Sequence, residues 1–183
     1  MNALRYQDNV PLRWQELTAL PSGAEEERIA RDNSRLLQLL PFLEESGQEQ
    51  HPHDEEPPPR YIQLLEQRLL LLTELLADLL AQSRPLPPSH EIGITANTLD
   101  WIDDEPPAPG ALLLVELFLH PLQPRPLRLP VEVLAVEPHE DGQQVHARLH
   151  VNADHAQAEL EKLIFRQHRR IIASRRQGRS QVS

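Results

Sequence analysis

Three stretches of the chain repeat apolar residues with the spacing of an α-helix. The first follows the acidic turn Glu25–Glu27, which suits a helix N-terminus, and extends to about residue 45. Its apolar positions are Ile29, Leu36, Leu37, Leu40 and Leu43. Pro41 lies inside this stretch, so we expect a kink or an interruption there. The last stretch, residues 156–170, predicts a C-terminal helix with apolar positions at Leu160, Leu163, Ile164 and Phe165.

The middle helical stretch, Tyr61 to Gln82, is dominated by leucine. With position a of a heptad repeat at residue 62, all six a and d positions are apolar: Ile62, Leu65, Leu69, Leu72, Leu76 and Leu79. Leucine also fills positions 64, 71 and 75 outside this seam, and a wide apolar surface is expected when a helix packs on two sides. One interpretation buries the helix in a single monomeric core. We favour a helix that meets copies of itself on one face and its own domain on the other, because the rest of the chain is too small to wrap it.

Elsewhere the apolar period changes to two residues, which predicts β-strands. Such stretches lie at residues 91–101, 111–120, 127–136 and 145–151, and Asp141-Gly142 marks a turn before the last of them. Residues 3–14 contain Pro11 and are interpreted as an edge strand or an extended arm, while Pro130 marks an edge or a bulge. Several short strands without βαβ alternation indicate an α+β fold, in which a small antiparallel barrel carries an inserted helical pair and a C-terminal helix.

The organisation along the chain predicts one domain. The barrel is expected at residues 3–14 and 90–155, the helical insertion at 22–84, and the closing helix with a basic tail at 156–183. Within the insertion, residues 46–59 contain no apolar residue except proline and are expected to form a flexible or extended connector. The length of 183 residues is sufficient for a substantial core, and 33 of them are leucine.

The net charge of −10 is unevenly distributed. Residues 160–183 contain seven basic residues and one acidic residue, so the remaining chain carries −16. The acidic body disfavours nucleic acid, whereas the basic tail suits a ligand that bears phosphate. The absence of cysteine excludes a disulfide scaffold and a cysteine nucleophile, and it fits a reducing cytoplasm. No run reaches the roughly 18 apolar residues of a membrane span, so we expect a soluble cytoplasmic protein without a membrane partner.

Patterns that indicate catalysis or metal binding are missing from the sequence. His146 and His150 share a strand face but would lie roughly 13 Å apart, too far for one metal ion, so they are interpreted as a solvated face. The pair Asp103-Asp104 lies in a loop without a predicted apolar environment. No glycine-rich phosphate loop follows a strand. We therefore expect no catalytic residues, no metal and no cofactor, and a protein that binds or assembles.

From His90 onward the sequence resembles a PilZ domain, the bacterial receptor fold for cyclic di-GMP. The stretch Ile94 to Trp101 stands where members have their ligand-motif strand, and Pro109-Gly110 followed by residues 111–114 matches the next turn and strand. Residues 160–170 resemble the closing helix. A subgroup of atypical PilZ proteins is similar in having two extra helices, one with heptad repeats, that assemble the protein into tetramers.

The ligand motifs of the family are altered. The motif D/N-x-S-x-x-G is represented by Gly93, Thr95 and Thr98, of which Thr95 keeps a comparable hydroxyl. The partner motif R-x-x-x-R belongs just before the first barrel strand, where Arg5 and Arg13 have a different spacing. The resemblance implies arginine forks on phosphate oxygens and small residues that let the backbone approach the base.

The resulting expectation is a non-enzymatic signalling adaptor of the atypical PilZ type. It would self-assemble, as a tetramer, through the heptad seam, and would bind cyclic di-GMP weakly, at a non-standard site, or not at all. We place possible phosphate contacts on Arg169, Arg170, Arg175 and Arg176. The protein partner is unknown. The alternative is an oligomeric protein that associates with nucleic acid through the arginine-rich tail.

Overall fold

Six antiparallel strands close into a barrel in the order β1-β2-β3-β6-β5-β4. The computed structural model describes residues 5–45, 60–83, 85–120, 125–150, 158 and 160–166. The elements are β1 (Tyr6–Leu17), α1 (Ala24–Glu45), α2 (Arg60–Ser83), β2 (Ser89–Ile94), β3 (Thr98–Asp103), β4 (Leu112–Leu117), β5 (Leu127–His139) and β6 (Gly142–Leu149). Residues 160–166 are also helical. No helix within these ranges is both long and apolar enough to cross a membrane.

Strand β1 closes the barrel, because its two halves pair with different neighbours. Tyr6–Pro11 pair with β2, and Leu12–Leu17 pair with β4. Pro11 lies at the change of partner, where its carbonyl accepts a hydrogen bond from the Phe118 backbone N–H. The segment is therefore a strand of the barrel, as predicted, but it closes the barrel instead of forming a free edge or an extended arm. Its proline is accommodated at a corner of the barrel rather than at a free edge.

The stretch predicted as one strand at residues 91–101 is two strands joined by a tight turn at 95–97. Thr95 donates its backbone N–H to the Thr98 carbonyl, and its hydroxyl oxygen accepts the Thr98 N–H at 3.0 Å. A threonine side chain thus replaces the glycine or proline that normally signals a turn. Asn97 is a typical turn residue, but a single asparagine was too weak a signal to divide the stretch into two strands.

The hairpin between β5 and β6 forms where Asp141-Gly142 predicts it. Gly142 has a φ of 137°, which an L side chain rarely adopts. Pro130 lies at the end of the β5–β6 ladder, which begins at Val131, so its missing N–H interrupts no internal pairing. The bulge in this ladder lies between Val133 and Ala135 instead of at the proline.

The core fills the barrel and continues onto the helices. Strand residues fill the interior of the barrel, and in β6 the alternate residues Val145, Ala147 and Leu149 are buried, in agreement with the period of two residues in this stretch. Six helical residues join the same cluster: Leu36, Leu37, Leu40, Leu160, Leu163 and Ile164. Burial of each such side chain contributes about 1.5–3 kcal/mol. Helix α1 continues through Pro41 to Glu45, so the proline does not interrupt it.

Asn33 attaches α1 to the barrel, because its side-chain amide forms two hydrogen bonds with the backbone of β5, as a neighbouring strand would. It is 4% exposed, and its side-chain N–H donates to the Arg128 carbonyl at 2.7 Å. The Arg128 backbone N–H donates in return to the Asn33 amide oxygen at 2.9 Å. Because β6 pairs with β5 only from Val131 onward, Asn33 satisfies backbone groups that lie beyond that ladder.

We expect Asn33→Ala to lower the free energy of unfolding by about 1–3 kcal/mol, because it removes both hydrogen bonds from the partly buried backbone of Arg128. The measurement is denaturant unfolding at one fixed protein concentration. Asp32→Ala is the matched control, since Asp32 is the exposed neighbour on the same helix. Equal effects of the two substitutions would contradict the role of Asn33.

Candidate ligand wall and leucine surface

Four residues meet on the outer wall of the barrel beside the ligand-motif strand. Gly93 of β2 pairs with Asp100 of β3, and Asp100 pairs with His146 of β6, so the three lie side by side across adjacent strands. Arg5, immediately before β1, reaches over the same row. Strand pairing thus places the Asp100 carboxylate beside His146, and the chain just before β1 brings Arg5 to its other side.

Asp100 is the centre of this group. It is 9% exposed, and its two carboxylate oxygens contact different partners. Oδ2 lies 3.1 Å from Arg5 Nη2, and Oδ1 lies 2.8 Å from His146 Nδ1. A carboxylate only accepts, so the imidazole donates from Nδ1 to Asp100. Two donors on separate oxygens offset the cost of burying the charge.

Only glycine fits at position 93 beside the Arg5 side chain. A Cβ at this position would overlap the guanidinium of Arg5, which lies directly over the Gly93 backbone. The glycine therefore admits an arginine of the same chain to the motif strand. A ligand approaching that backbone would first have to displace Arg5 from Asp100.

The other two motif positions are used inside the β2–β3 turn. The hydroxyls of Thr95 and Thr98 are hydrogen-bonded at 2.8 Å, and Thr95 also accepts the N–H of Thr98. Their polar atoms hold the turn together. The altered motif residues thus support the barrel itself, through Arg5 at one end of the strand and the threonine pair at the other.

Two further carboxylates on the barrel are each bracketed by two basic side chains. Glu116 binds Arg13 and Arg128. Glu132 lies 3.4 Å from Arg148 and 3.5 Å from His150. His146 and His150 contact different carboxylates and are partly buried, so their interpretation as a solvated face is wrong. The sequence signal for these ion pairs is that their residues occupy outward-facing positions on neighbouring strands. To use it, one must know the pairing register of the strands.

No group of potential ligands that could hold a metal ion occurs among the described residues. Of the predicted loop carboxylates, Asp103 accepts the indole N–H groups of Trp14 at 2.9 Å and Trp101 at 3.2 Å. These are the two tryptophans of the chain. Asp103 therefore fastens β1 to β3 at one end of the barrel.

Two grooves lie at opposite ends of the β2–β3 pair. One, of about 610 Å³, is acidic, with Asp8, Glu91, Asp104 and Asp141 in its lining. The other, of about 790 Å³, lies between the β2–β3 turn and helix 160–166. We name it the turn–helix groove. Its lining residues are Thr95, Ala96, Asn97, Ala158, Glu161, Lys162, Ile164, Phe165 and Arg166.

Helix α2 exposes to solvent those of its leucines whose side chains the structure describes. Five seam residues, Leu65, Leu69, Leu72, Leu76 and Leu79, are 56–60% exposed, and Ile62 is partly buried. Burial of this helix in a monomeric core is therefore wrong. The expected cover by its own domain is also missing from the second face, where Leu64, Leu71 and Leu75 are 48–55% exposed.

The four tail arginines predicted to contact phosphate, Arg169, Arg170, Arg175 and Arg176, lie outside the described residues. Arg166 is the last residue described before them. Its Nε is buried and makes no hydrogen bond. The structure thus places two basic side chains of the predicted C-terminal helix, Lys162 and Arg166, in the lining of the turn–helix groove.

The closed antiparallel barrel, with helices inserted after its first strand, defines a PilZ-type domain. The sequence matches the family described as atypical PilZ domain, cyclic di-GMP receptor, over residues 37–177. The chain therefore belongs to the atypical PilZ family of cyclic di-GMP receptors. No curated protein sequence matches it.

A solved structure gives an independent comparison of the fold. It is a pathogenic protein from Xanthomonas campestris, described as a new tetrameric PilZ domain self-assembled via an unusual helical bundle. That protein is 23% identical, and the superposition covers 94% of this chain and 92% of that chain with a TM-score of 0.74. The α+β fold predicted from the sequence, a PilZ-like barrel with added helices, is confirmed.

We expect Gly93→Ala to destabilise the protein by about 1 kcal/mol, because the new methyl group displaces Arg5 and leaves the Asp100 carboxylate with one partner fewer. In an Arg5→Ala background the same substitution should be neutral or stabilising, since glycine in a strand costs about 0.5–1 kcal/mol relative to alanine. Thermal or denaturant unfolding of the four proteins measures this coupling.

Arg13→Ala provides the matched background, because Arg13 also lies on the barrel wall but binds Glu116. There, Gly93→Ala should cost as much as in the unsubstituted protein. The same cost of Gly93→Ala in the Arg5→Ala background would show that Arg5 does not occupy this position.

Proposed function

We propose that this protein is a non-enzymatic cyclic di-GMP signalling adaptor of the cytoplasm that self-assembles through α2. The observation that carries the proposal is the exposed leucine surface of that helix. Soluble monomers rarely expose contiguous apolar patches of this kind, and such patches mark sites of association. The membership of a receptor family supports a signalling role that acts through a protein partner not yet identified.

The width of the leucine surface favours a tetramer over a dimer. At 3.6 residues per turn, the seam and the flanking Leu64, Leu71 and Leu75 together cover about half of the helix circumference. A two-stranded coiled coil buries mainly the a and d positions, so it would leave the flanking leucines in water. A bundle of four helices gives each helix a neighbour on both faces. The tetrameric state described for the Xanthomonas campestris protein supports the same number.

Polar residues of α2 are compatible with this arrangement. All six seam positions are uncharged: Ile62, Leu65, Leu69, Leu72, Leu76 and Leu79. The exposed Glu66 and Arg68 occupy positions e and g, which in coiled coils form pairs between helices. Arg68 shares position g with Leu75, so assembly would bring its charge within the wide leucine surface, where Glu66 of a neighbouring helix would pair with it.

Binding of cyclic di-GMP is proposed to be weak, or to use a non-standard site. Arg5 covers Gly93, and the Thr95 and Thr98 hydroxyls are engaged with each other. We propose that the phosphates are contacted instead by the tail arginines Arg169, Arg170, Arg175 and Arg176, because one guanidinium group can donate two parallel hydrogen bonds to phosphate oxygens.

Association with nucleic acid through the same tail is the alternative function. The body of the chain is strongly acidic, which opposes a long polyanion more than a small ligand. Filter binding to DNA at two salt concentrations separates the two, since affinity for DNA falls steeply with salt.

Static light scattering at micromolar concentration tests the assembly. We expect a tetramer for the unsubstituted protein and smaller species for Leu69→Gln/Leu76→Gln, because two seam leucines per helix become polar. Leu70→Gln is the matched control: it is the same chemical change at the adjacent residue, which lies on the opposite side of the helix from the seam. A strictly monomeric unsubstituted protein would refute self-assembly, and equal dissociation by Leu70→Gln would refute the seam.

Calorimetric titration with cyclic di-GMP tests the ligand contacts. Replacement of Arg169, Arg170, Arg175 and Arg176 by glutamine should abolish the weak binding expected of the unsubstituted protein. Arg148→Gln, on the outer barrel wall, should leave it unchanged. Tight binding that survives the fourfold replacement would show that the phosphate contacts lie elsewhere.

A further inference from the structure

The groove of about 610 Å³ at the start of β2 is lined by groups that carry negative charge or accept hydrogen bonds. We name it the acidic groove. Among the described residues no lysine or arginine contributes to its lining. His90 lines it with Nδ1 at 2.7 Å from the Ile102 carbonyl, which only accepts, so the neutral ring keeps Nε2 as an acceptor. Its four carboxylates are all exposed and come from separate parts of the barrel: Asp8, Glu91, Asp104 and Asp141.

The carboxylates of the acidic groove differ from those of the barrel wall in having no basic partner. On the wall, Asp100, Glu116 and Glu132 each lie beside two basic side chains. In the groove, Asp8 accepts the Tyr6 hydroxyl at 2.7 Å, but none of the four carboxylates forms an ion pair with the part of the chain that the structure describes. Four like charges around one concave surface attract a cationic partner.

A segment of the same chain has the complementary chemistry. Residues 167–183 contain five arginines and no acidic residue. An arginine side chain has five N–H donors and no acceptor, and its planar fork binds carboxylates through two parallel hydrogen bonds. The segment also contains Ile171 and Ile172, while Pro88 and Ile102 add apolar surface to the groove. Charge and hydrogen-bonding capacity therefore both match this segment, the basic tail, to the acidic groove.

The length of the basic tail decides which of its arginines can reach the groove. Arg166 lines the turn–helix groove beside the β2–β3 turn, whereas the acidic groove lies at the opposite ends of these two six-residue strands. That separation is roughly 20 Å at about 3.3 Å per residue. An extended chain covers at most about 3.6 Å per residue, so the backbone of Arg170 lies within about 14 Å of Arg166. The backbone of Arg175 can lie about 30 Å away.

We propose that the acidic groove binds the distal part of the basic tail of the same chain, through Arg175 and Arg176. The tail then passes along the barrel wall from the turn–helix groove to the acidic groove. An anionic ligand of the tail would have to compete with the groove carboxylates for these arginines, so the groove would lower the affinity of the tail for phosphate. The inference requires neither cyclic di-GMP nor self-assembly, and its test uses neither.

Disulfide cross-linking of the full-length protein tests this placement, because the chain has no cysteine of its own. Ser89→Cys puts a thiol in the lining of the acidic groove, and Ser180→Cys puts one in the distal tail. Under mild oxidation we expect this pair to form an intrachain disulfide, which alters the mobility of the monomer on a denaturing gel without reductant. The matched control is Ser22→Cys/Ser180→Cys, since Ser22 is an exposed serine beyond the C-terminal end of β1. It should cross-link several-fold more slowly.

Charge dependence separates the proposed contacts from random collisions of the tail. In the Ser89→Cys/Ser180→Cys background, Arg175→Gln/Arg176→Gln should slow disulfide formation about 2- to 30-fold, which is the effect of losing two exposed ion pairs. Arg169→Gln/Arg170→Gln is the matched control within the tail and should leave the rate unchanged. High salt should slow the reaction of the parent pair, because it screens exposed charges.

Substitution of the groove completes the test. Glu91→Gln/Asp104→Asn should slow the cross-link as the distal arginine variant does, since it removes two of the four carboxylates. Equal rates for the Ser89 and Ser22 pairs would refute binding in the groove. Cross-linked dimers in place of the intrachain product would show that the tail of another subunit occupies the groove. Equal slowing by Arg169→Gln/Arg170→Gln would refute the assignment to the distal arginines.

Discussion

Closure of the barrel by β1 is the constraint on which the other polar contacts depend. One strand pairs with β2 over its first half and with β4 over its second half, and Pro11 marks the change. This path brings Arg5 over Gly93, Arg13 to Glu116 and Trp14 to Asp103. If β1 were absent, the barrel would have two open edges, and Glu116 and Asp103 would each lose a hydrogen-bonding partner.

The same closure explains how the ligand motif of a receptor family is altered without loss of the fold. In the motif strand, Gly93 provides room for an arginine from the same chain, and the two threonines hold the turn. These residues preserve a well-packed wall, because each of them takes part in contacts within the barrel. Receptor fold and ligand site are thus separable, because the core residues point inward and the motif residues point outward.

Local patterns in the sequence predicted the elements that depend on neighbours along the chain. The alternation in β6, the Asp141-Gly142 turn and the leucine repeat of α2 were all readable, since each reflects a period or a backbone requirement. Contacts between residues that are distant in the sequence could not be predicted from such local patterns. Asn33 and Arg128 are 95 residues apart, and Asp100 meets Arg5 and His146 only through strand pairing. The role of Pro11 was misjudged for the same reason, because a proline at a barrel corner and one at a free edge look identical in sequence. The sequence showed that Gly93, Thr95 and Thr98 differ from the family motif. It did not show which residues of the barrel they contact.

The two tryptophans share one carboxylate, Asp103, and neither lies in α1 or α2. One is on the closing strand and the other on β3, so both indoles report on the same corner of the barrel. Intrinsic fluorescence of this protein is therefore a built-in probe of barrel integrity, free of any signal from an indole in the leucine helix. Unfolding of the barrel can be followed by emission and the proposed self-assembly by mass, as two distinct events, without attaching a label.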